Sequence, residues 1–165
     1  MNNEVMRVIE QIVGTPCSRK EVGRMRSLSL GFGQGVKSAV KLNEKVYREW
    51  EIGTYRSAWR VTQGGIVLCG STDVVDSIDE MNVALGLIDL GRFASLRQLS
   101  DLDVRIEFDG GVAVEFLAAA SDDDEYFHVF CPGGRYIECS VRGGWKTGPA
   151  NKPWDISGVE GDVMV

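Results

Sequence analysis

The chain has 165 residues, of which 44% are hydrophobic and 25% charged, and its formal net charge is −6. A chain of this length buries about 70% of the surface that its unfolded form exposes, so we expect one globular domain rather than a disordered or collagen-like chain. Because it contains no long apolar run and starts without a signal-like segment, we expect a cytoplasmic protein that is not bound to a membrane.

The net charge and the number of cysteines and histidines limit the kinds of ligand that we expect this protein to bind. An acidic protein is repelled by the phosphates of nucleic acids and anionic lipids, whereas a basic partner is attracted. Four cysteines, Cys17, Cys69, Cys131 and Cys139, lie far apart without a Cys-x-x-Cys pair, and His128 is the sole histidine. We therefore expect reduced, buried thiols and neither a metal nor another cofactor.

Two segments have the apolar spacing of amphipathic helices. Residues 3 to 13 follow the potential capping residue Asn2 and carry apolar side chains at i, i+4, i+7 and i+8. Residues 74 to 88 carry them at intervals of 4, 3, 4 and 3, although Gly86 weakens the helical pattern. We expect both helices to cover one side of a sheet.

Alternating polar and apolar residues predict strands elsewhere. Residues 25 to 32 are expected to form a strand, and residues 33 to 45 an exposed loop or an extended edge. Residues 47 to 62 have strand character, but their apolar positions change from even to odd numbers, which predicts a bulge at Gly53. Residues 93 to 99 are a further candidate strand.

The numbering of apolar residues also predicts hairpin registers. On both sides of residues 109 to 111 the apolar positions are even, so facing residues share a face only if the loop has three residues. The same loop at residues 132 to 134 places His128 opposite Glu138, whereas a two-residue turn places it opposite Cys139.

A third glycine-containing turn, at residues 63 to 65, is expected to join its strands in the same manner. These elements predict an α+β fold: a twisted antiparallel sheet of hairpins, with the N-terminal helix and one further short helix packed on it. We expect residues 1 to 145 to form a single domain. Residues 146 to 165 are rich in glycine, proline and polar residues, which predicts an irregular C-terminal tail.

Acidic residues are the candidate contacts for a partner. The densest charge on the chain is the run at residues 122 to 125, whose adjacent carboxylates lack the alternating ligand positions of a calcium loop. A solvated connection, a protein-binding patch and a divalent-ion site are the alternatives. The partner-binding candidates are Asp122, Asp123, Asp124 and Glu125, followed by Asp101 and Asp103.

No recognisable catalytic set is present in the sequence. Any histidine-based reaction would use His128, which Glu138 could orient, but no Ser or Cys nucleophile is linked to this pair. The glycine-rich segment at residues 31 to 35 lacks the Gly-Lys-Ser/Thr ending of a phosphate-binding loop. We therefore expect a protein that is not an enzyme.

Several short motifs resemble those of a widespread family of small acidic bacterial proteins that are similar to immunity proteins of polymorphic toxin systems. The resemblance covers residues 8 to 138 and implies a buried Trp59, a pair formed by Arg60 and Asp73, and no catalytic residues. The motifs are Gly31-Phe32-Gly33, Ser57-Ala58-Trp59-Arg60, Gly70-Ser71-x-Asp73, the alternating run from Leu102 to Gly111, and Asp123-Asp124-Glu125-Tyr126-Phe127 before Phe-x-Pro-Gly-Gly-Arg.

The resemblance and the acidic charge lead us to expect an immunity protein. It would bind a cognate bacterial toxin domain and neutralise it by occlusion. The acidic charge favours a basic toxin, such as a nuclease. The alternative is a small-ligand or regulatory binding domain with a cleft between helix and sheet, lined by Trp50, Tyr55 or Trp59. An enzyme that uses His128 and Glu138 is the third hypothesis.

Overall fold

The computed structural model describes residues 1–37, 46–55 and 58–150. Within these ranges the chain forms two short α-helices and eleven strands. The helices are α1 (Asn3–Ile9) and α2 (Ile78–Gly86). The strands are β1 (Cys17–Val22), β2 (Leu28–Lys37), β3 (Val46–Gly53), β4 (Ala58–Gln63), β5 (Ile66–Gly70), β6 (Phe93–Gln98), β7 (Asp103–Phe108), β8 (Val112–Leu117), β9 (Glu125–Cys131), β10 (Arg135–Ser140) and β11 (Gly144–Pro149).

The strands form two antiparallel sheets, where the sequence predicts one. The larger sheet has the order β1-β2-β3-β9-β10-β11, and the smaller sheet has the order β5-β4-β8-β7-β6. The predicted α+β character, an antiparallel sheet structure with two short helices, is confirmed at this level. Hairpin signals could not reveal the division, because they specify only which neighbours in sequence pair with each other.

One hydrophobic core joins the two sheets. The ring of Phe32 in β2 lies 5.8 Å from that of Phe93 in β6, and the ring of Phe116 in β8 lies 5.1 Å from that of Phe127 in β9. Both pairs are edge-to-face, an arrangement that adds about 0.5–1.5 kcal/mol to the burial of each pair. The inner faces of the sheets therefore pack together and leave their outer faces available.

Gly53 ends a strand and does not form the predicted bulge. A Cβ atom at Gly53 would lie 2.2 Å from the carbonyl oxygen of Leu28, so only glycine allows this close approach of the two backbones. The change from even to odd apolar positions has another cause: Ile52 belongs to the larger sheet and Trp59 to the smaller one.

Two of the three hairpin registers are confirmed. Ile106 pairs with Val114 across residues 109 to 111, and His128 pairs with Glu138 across residues 132 to 134. The third prediction is wrong, because Gln63 pairs directly with Ile66 through a two-residue turn. A bulge in β5 then shifts the register by one residue, so that the buried Val61 and Cys69 face each other.

The predicted helices and the candidate strand at residues 93 to 99 are present. Helix α1 continues into a 3-10 turn that ends at Ile12. Helix α2 begins at Ile78 rather than at residue 74, because the Ser77 side chain caps it by accepting the Glu80 N–H at 3.2 Å. The strand predicted at residues 93 to 99 is β6.

Three segments differ from the sequence prediction. Strand β1 was not predicted, since its three consecutive charged residues hide the alternation. Strand β2 continues to Lys37, inside the predicted loop or extended edge, while residues 38 to 45 lie outside the described residues. Strand β11 pairs with β10 where an irregular tail is predicted from residue 146. Residues 151 to 165 of that tail also lie outside the described residues.

Candidate functional site

The outer face of the larger sheet borders a cleft of about 950 Å³. Strand alternation explains the polar residues of its floor: Leu30, Ile52 and Val129 point into the core, so their neighbours Glu51 and His128 point to the opposite face. The volume lies at the upper end of the range of about 300–1,000 Å³ that is typical of small-molecule sites.

This cleft differs in position from the one that the sequence predicts. It is lined by strands and turns of the larger sheet, not by a helix. Of the three predicted aromatic residues only Tyr55 lines it, and its side chain is half exposed. Trp50 and Trp59 are buried in the core, where the Trp59 indole donates to the carbonyl oxygen of Arg26 at 2.7 Å.

An ionic network forms the floor of the cleft. Arg19 Nη1 lies 2.8 Å from Glu51 Oε2, and the Ser29 hydroxyl donates to the same oxygen at 2.8 Å. The backbone N–H of Arg48 donates to Glu51 Oε1 at 2.8 Å, and Arg19 also pairs with Glu21. The buried Glu51 carboxylate is therefore held from several directions, as a buried charge requires.

Gly31 makes this network possible. Gly31 pairs with Arg19 on one side and with Glu51 on the other, so the ion pair crosses the whole width of β2 above it. A Cβ atom at Gly31 would lie 2.6 Å from Cγ of Arg48 and 3.0 Å from Cβ of Arg19. The glycine-rich segment is thus part of a strand, and its first glycine provides room for three charged side chains.

His128 anchors a second, aromatic part of the cleft. It is buried, and its ring centroid lies 4.5 Å from that of Tyr55 and 5.9 Å from that of Tyr136. Its Nδ1 lies 3.0 Å from Oε1 of Glu125, and the Tyr136 hydroxyl donates to the other oxygen of Glu125. Glu125 therefore contacts the ring, and Glu138 lies opposite His128 across the ladder as predicted.

The environment of Glu125 keeps this carboxylate charged. Burial raises the pKa of Glu125, but the interactions with His128 and Tyr136 together outweigh burial and leave the pKa below its ordinary value. Burial and the hydrogen bond to Glu125 raise the pKa of Tyr136, so its hydroxyl remains a donor. The arrangement fixes the His128 ring against Tyr55 and positions both at the cleft.

The cleft also contains a thiol, but not an activated one. Cys131 lines the cleft, and burial raises its pKa to about 11. A nucleophilic cysteine needs a lowered pKa, so that the thiolate is present at neutral pH. The Cys131 thiol instead donates to the carbonyl oxygen of Val129 at 3.7 Å. The Cys131 thiol is therefore protonated at neutral pH.

The predicted acidic run does not act as one patch. Asp122, Asp123 and Asp124 are exposed in the connection before β9, whereas Glu125 points to His128. A bulge in β9, opposite Ser140, turns Glu125 to the outer face. The Asp123 carboxylate accepts the N–H groups of Arg142 at 2.8 Å and Gly143 at 3.3 Å. The hydrogen bond from the Arg142 backbone is the main reason why the pKa of Asp123 is lowered.

The other predicted pair of acidic residues stabilises a turn. Asp103 accepts the N–H of Ala118 at 3.2 Å through one oxygen and the Ser100 hydroxyl at 3.1 Å through the other. Asp101 is exposed beside it. Asp101, Asp122, Asp123 and Asp124 are thus all exposed, and Asp103, Asp123 and Asp124 each accept a backbone N–H of their own region.

Arg60 and Asp73 do not form the pair that the resemblance implies. Arg60 binds the buried Glu115, which Arg105 binds from the other side. Asp73 accepts the N–H of Gly70 at 2.9 Å and closes the turn after β5. Trp59 is buried as expected. Arg60 and Asp73 therefore stabilise separate parts of the smaller sheet.

Sequence reasoning did not find the residues of the cleft floor. Arg19 and Glu51 lie 32 positions apart in the sequence. Because β1 was not predicted, the sequence gave no reason to expect the two side chains to be close in space. The available signal was Glu51 itself, a charged residue between the apolar Trp50 and Ile52 in a predicted strand. A charge at such a position either faces solvent or has a partner on an adjacent strand.

Within the described ranges, no three His, Cys, Asp or Glu side chains form a group that could hold a metal ion. In the same part of the chain, no helix is long and apolar enough to span a membrane. All four cysteines are free thiols. Comparison with protein-family models, with curated proteins and with solved structures finds no match to this chain.

Proposed function

We propose that this protein binds a small organic ligand in the cleft on the outer face of the larger sheet. The observation that carries the proposal is the combination of a cleft of about 950 Å³ with a fixed polar floor. Ligand sites are concave and combine apolar walls with a few positioned polar groups. Arg19 and Glu51 form such a floor, because each is held by hydrogen bonds inside the protein.

The walls of the cleft favour a flat ligand. Tyr47, Tyr55 and Phe130 line it together with the ring of His128. Aromatic side chains bind planar groups by offset stacking or edge contacts. Tyr55 is half exposed although its ring lies against His128, so a planar ligand would cover the exposed part of Tyr55.

The charges that line the cleft favour an amine over an acid. The lining includes the carboxylates of Glu21, Glu49 and Glu51 and the guanidinium groups of Arg19 and Arg48. Arg19 and two of these carboxylates neutralise one another only in part, so the lining carries one carboxylate more than guanidinium groups. Carboxylates and aromatic faces both attract cations. The ligand class that fits is therefore a planar aromatic amine.

The arrangement supports binding rather than turnover. The polar groups that line the cleft have partners in the protein: His128 contacts Glu125, which lies outside the lining, and Arg19 contacts Glu51. The thiol of Cys131 has a raised pKa. A regulatory or carrier role needs only the ordered floor and the aromatic walls.

A thermal-shift screen tests the proposal. Aromatic amines and the matching aromatic acids are added to the full chain, and the melting temperature is followed. A ligand present at 100 times its Kd adds about 2.7 kcal/mol to the free energy of unfolding. We expect amines to raise the melting temperature of the wild type and not that of Tyr55→Ala.

Val83→Ala is the matched control for this screen. Val83 is exposed on α2 and does not line the cleft, so its truncation should leave the ligand effect unchanged. The proposal fails if no amine stabilises the wild type, or if Tyr55→Ala responds as strongly as the wild type.

A second candidate function is the immunity role that the sequence suggests. Its support is the net charge of −6 together with the exposure of Asp122 and Asp124. Exposed carboxylates accelerate association with a basic protein by long-range attraction. In this proposal the protein acts in the cytoplasm by occluding a cognate toxin domain.

Co-expression with the toxin domain encoded beside it tests the immunity role. We expect the wild type to relieve toxicity, and Asp122→Asn combined with Asp124→Asn to bind more slowly at low salt. Asp101→Asn is a useful comparison, because Asp101 is exposed in a different turn. Toxicity that the wild type leaves unrelieved would contradict this role.

A further inference from the structure

The loop between β1 and β2 contains two residues in the left-handed region of backbone conformation. Met25 has a φ of 56° and Arg26 a φ of 59°, and in the part of the chain that the structure describes every other residue with a positive φ is glycine. A side chain is strained in this region, because its Cβ atom crowds a backbone carbonyl oxygen. Such strain persists only where surrounding contacts enforce it, and it is concentrated at ligand and active sites.

Contacts to the smaller sheet hold Arg26 in this conformation. Its Nη1 atom donates to the carbonyl oxygen of Ser71 at 2.9 Å and to that of Asp73 at 2.8 Å. Its own carbonyl oxygen accepts the indole N–H of Trp59 at 2.7 Å. Trp59 and Ser71 are also joined, since the Ser71 hydroxyl accepts the backbone N–H of Trp59 at 3.1 Å. Arg26 is therefore fixed through both its side chain and its backbone.

The same loop contributes to the wall of the cleft. Gly23 and Ser27, at its two ends, line the cleft, and the Gly23 N–H donates to the Ser27 carbonyl oxygen at 2.8 Å. In the adjoining strands Glu21 pairs with Ser29, whose hydroxyl donates to the Glu51 carboxylate of the cleft floor. The conformation of the loop therefore determines where this part of the cleft lies.

We propose that Arg26 is a positioning residue of the ligand site: it holds residues 23 to 27 in their strained conformation and thereby preforms the adjoining part of the cleft. The inference rests on the proposed function, because it assigns Arg26 a role in binding the planar aromatic amine. Arg26 does not line the cleft, so it acts on the ligand through Gly23 and Ser27. A preformed site binds more tightly, since less conformational freedom is lost when the ligand enters.

Hydrogen exchange of the ligand-free chain tests whether Arg26 holds the loop. We expect Arg26→Ala to speed the exchange of the Gly23 amide and of the Trp59 indole N–H, because both hydrogen bonds depend on the loop conformation. The increase should exceed any increase at the amides of β7, which report global unfolding. Arg24→Ala is the matched control, because Arg24 is an exposed arginine in the same loop.

The affinity for tryptamine, a planar indole with one ammonium group, tests the effect on the ligand site. The Kd is measured by calorimetry at a temperature at which all variants are folded. We expect Arg26→Ala to raise the Kd roughly 10-fold, the equivalent of ordering one additional side chain, and Arg24→Ala to leave it unchanged. Arg26→Gly should recover part of the affinity, since glycine adopts the left-handed conformation without strain.

The outcomes separate this inference from the proposed function. A wild type that does not bind tryptamine would count against the proposed function, and the exchange of Gly23 would then decide the role of Arg26. Unchanged exchange at Gly23 in Arg26→Ala overturns that role with or without a ligand. If tryptamine binds, equal Kd values for the wild type and Arg26→Ala also overturn it. Equal Kd values for Arg26→Ala and Arg26→Gly would show that the strained conformation has no part in binding.

Discussion

Arg19 and Glu51 form an ion pair across an intervening strand. Their strands, β1 and β3, flank β2, and the two charged groups meet at 2.8 Å above Gly31. A side chain at Gly31 would stand in their path. Gly31 therefore leaves room for the ion pair that forms the floor of the cleft.

Gly31→Ala should destabilise the protein by about 1–3 kcal/mol, the usual cost of inserting atoms into a filled space. The new Cβ would overlap Cγ of Arg48 and press on Cβ of Arg19. Urea unfolding measures the change. Gly86→Ala is the control, since a Cβ there meets open space and alanine favours helix α2. Equal effects of the two substitutions would contradict this role of Gly31.

Removal of one partner of the ion pair should cost more than removal of both. Glu51→Leu leaves the guanidinium of Arg19, whose side chain is 16% exposed, without its inner partner. Breaking a buried pair costs about 3–5 kcal/mol, whereas apolar replacement of both members is often neutral. A double-mutant cycle with Arg19→Met measures the coupling. Additive effects of the two substitutions would show that the pair does not interact.

Glu115 should make the stability depend on pH in the acid range. Burial raises its pKa, but the hydrogen bonds from Arg60 and Arg105 outweigh burial and hold the pKa below the usual value. A carboxylate with a lowered folded pKa stabilises fully above its unfolded pKa, about 4.3, and loses this contribution as the pH falls through the folded value. Stability should therefore fall as the pH drops below that range.

Glu115→Gln tests the source of this dependence. The variant should be less stable than the wild type near neutral pH, and the difference should shrink in acid, as followed by urea unfolding at several pH values. Glu10→Gln, at an exposed position, serves as the control. A difference that stays constant with pH would assign the acid sensitivity to other groups.

The Cys131 thiol should react slowly in the folded protein. Its pKa of about 11 leaves little thiolate at pH 8, roughly 100-fold less than a thiol with an ordinary pKa. Alkylation by iodoacetamide, followed by mass spectrometry of the peptide that contains Cys131, measures the rate. The same peptide should react normally in urea. Rapid alkylation of the folded protein would indicate an activated thiol and favour an enzyme.

The pairing of neighbouring strands was predictable from the sequence, because the even or odd numbers of the apolar residues specify how many residues the loop must have. The even positions of Ile106 and Val114 allow only an odd number of loop residues, and the structure has three. The same argument placed His128 opposite Glu138 correctly. It could not predict the contact of His128 with Glu125, because that contact depends on the bulge in β9.

The cleft was not predictable for a different reason. Its floor joins β1, β2 and β3, and the order of strands in a sheet depends on packing of the whole chain rather than on local pattern. On a strand, a polar residue that faces solvent and one that faces a cleft follow the same alternation. Arg19, Ser29 and Glu51 therefore looked like ordinary surface residues until their strands were adjacent.

The most direct test of the central claim is an NMR titration of the labelled full chain with the aromatic amine that stabilises it most. If the outer face of the larger sheet is the binding site, shift changes will concentrate at Glu51, Tyr55 and His128 and saturate with the ligand. Changes confined to residues 122 to 124 or to β5, with the resonances of the cleft unmoved, would show that the ligand binds elsewhere and would contradict the account.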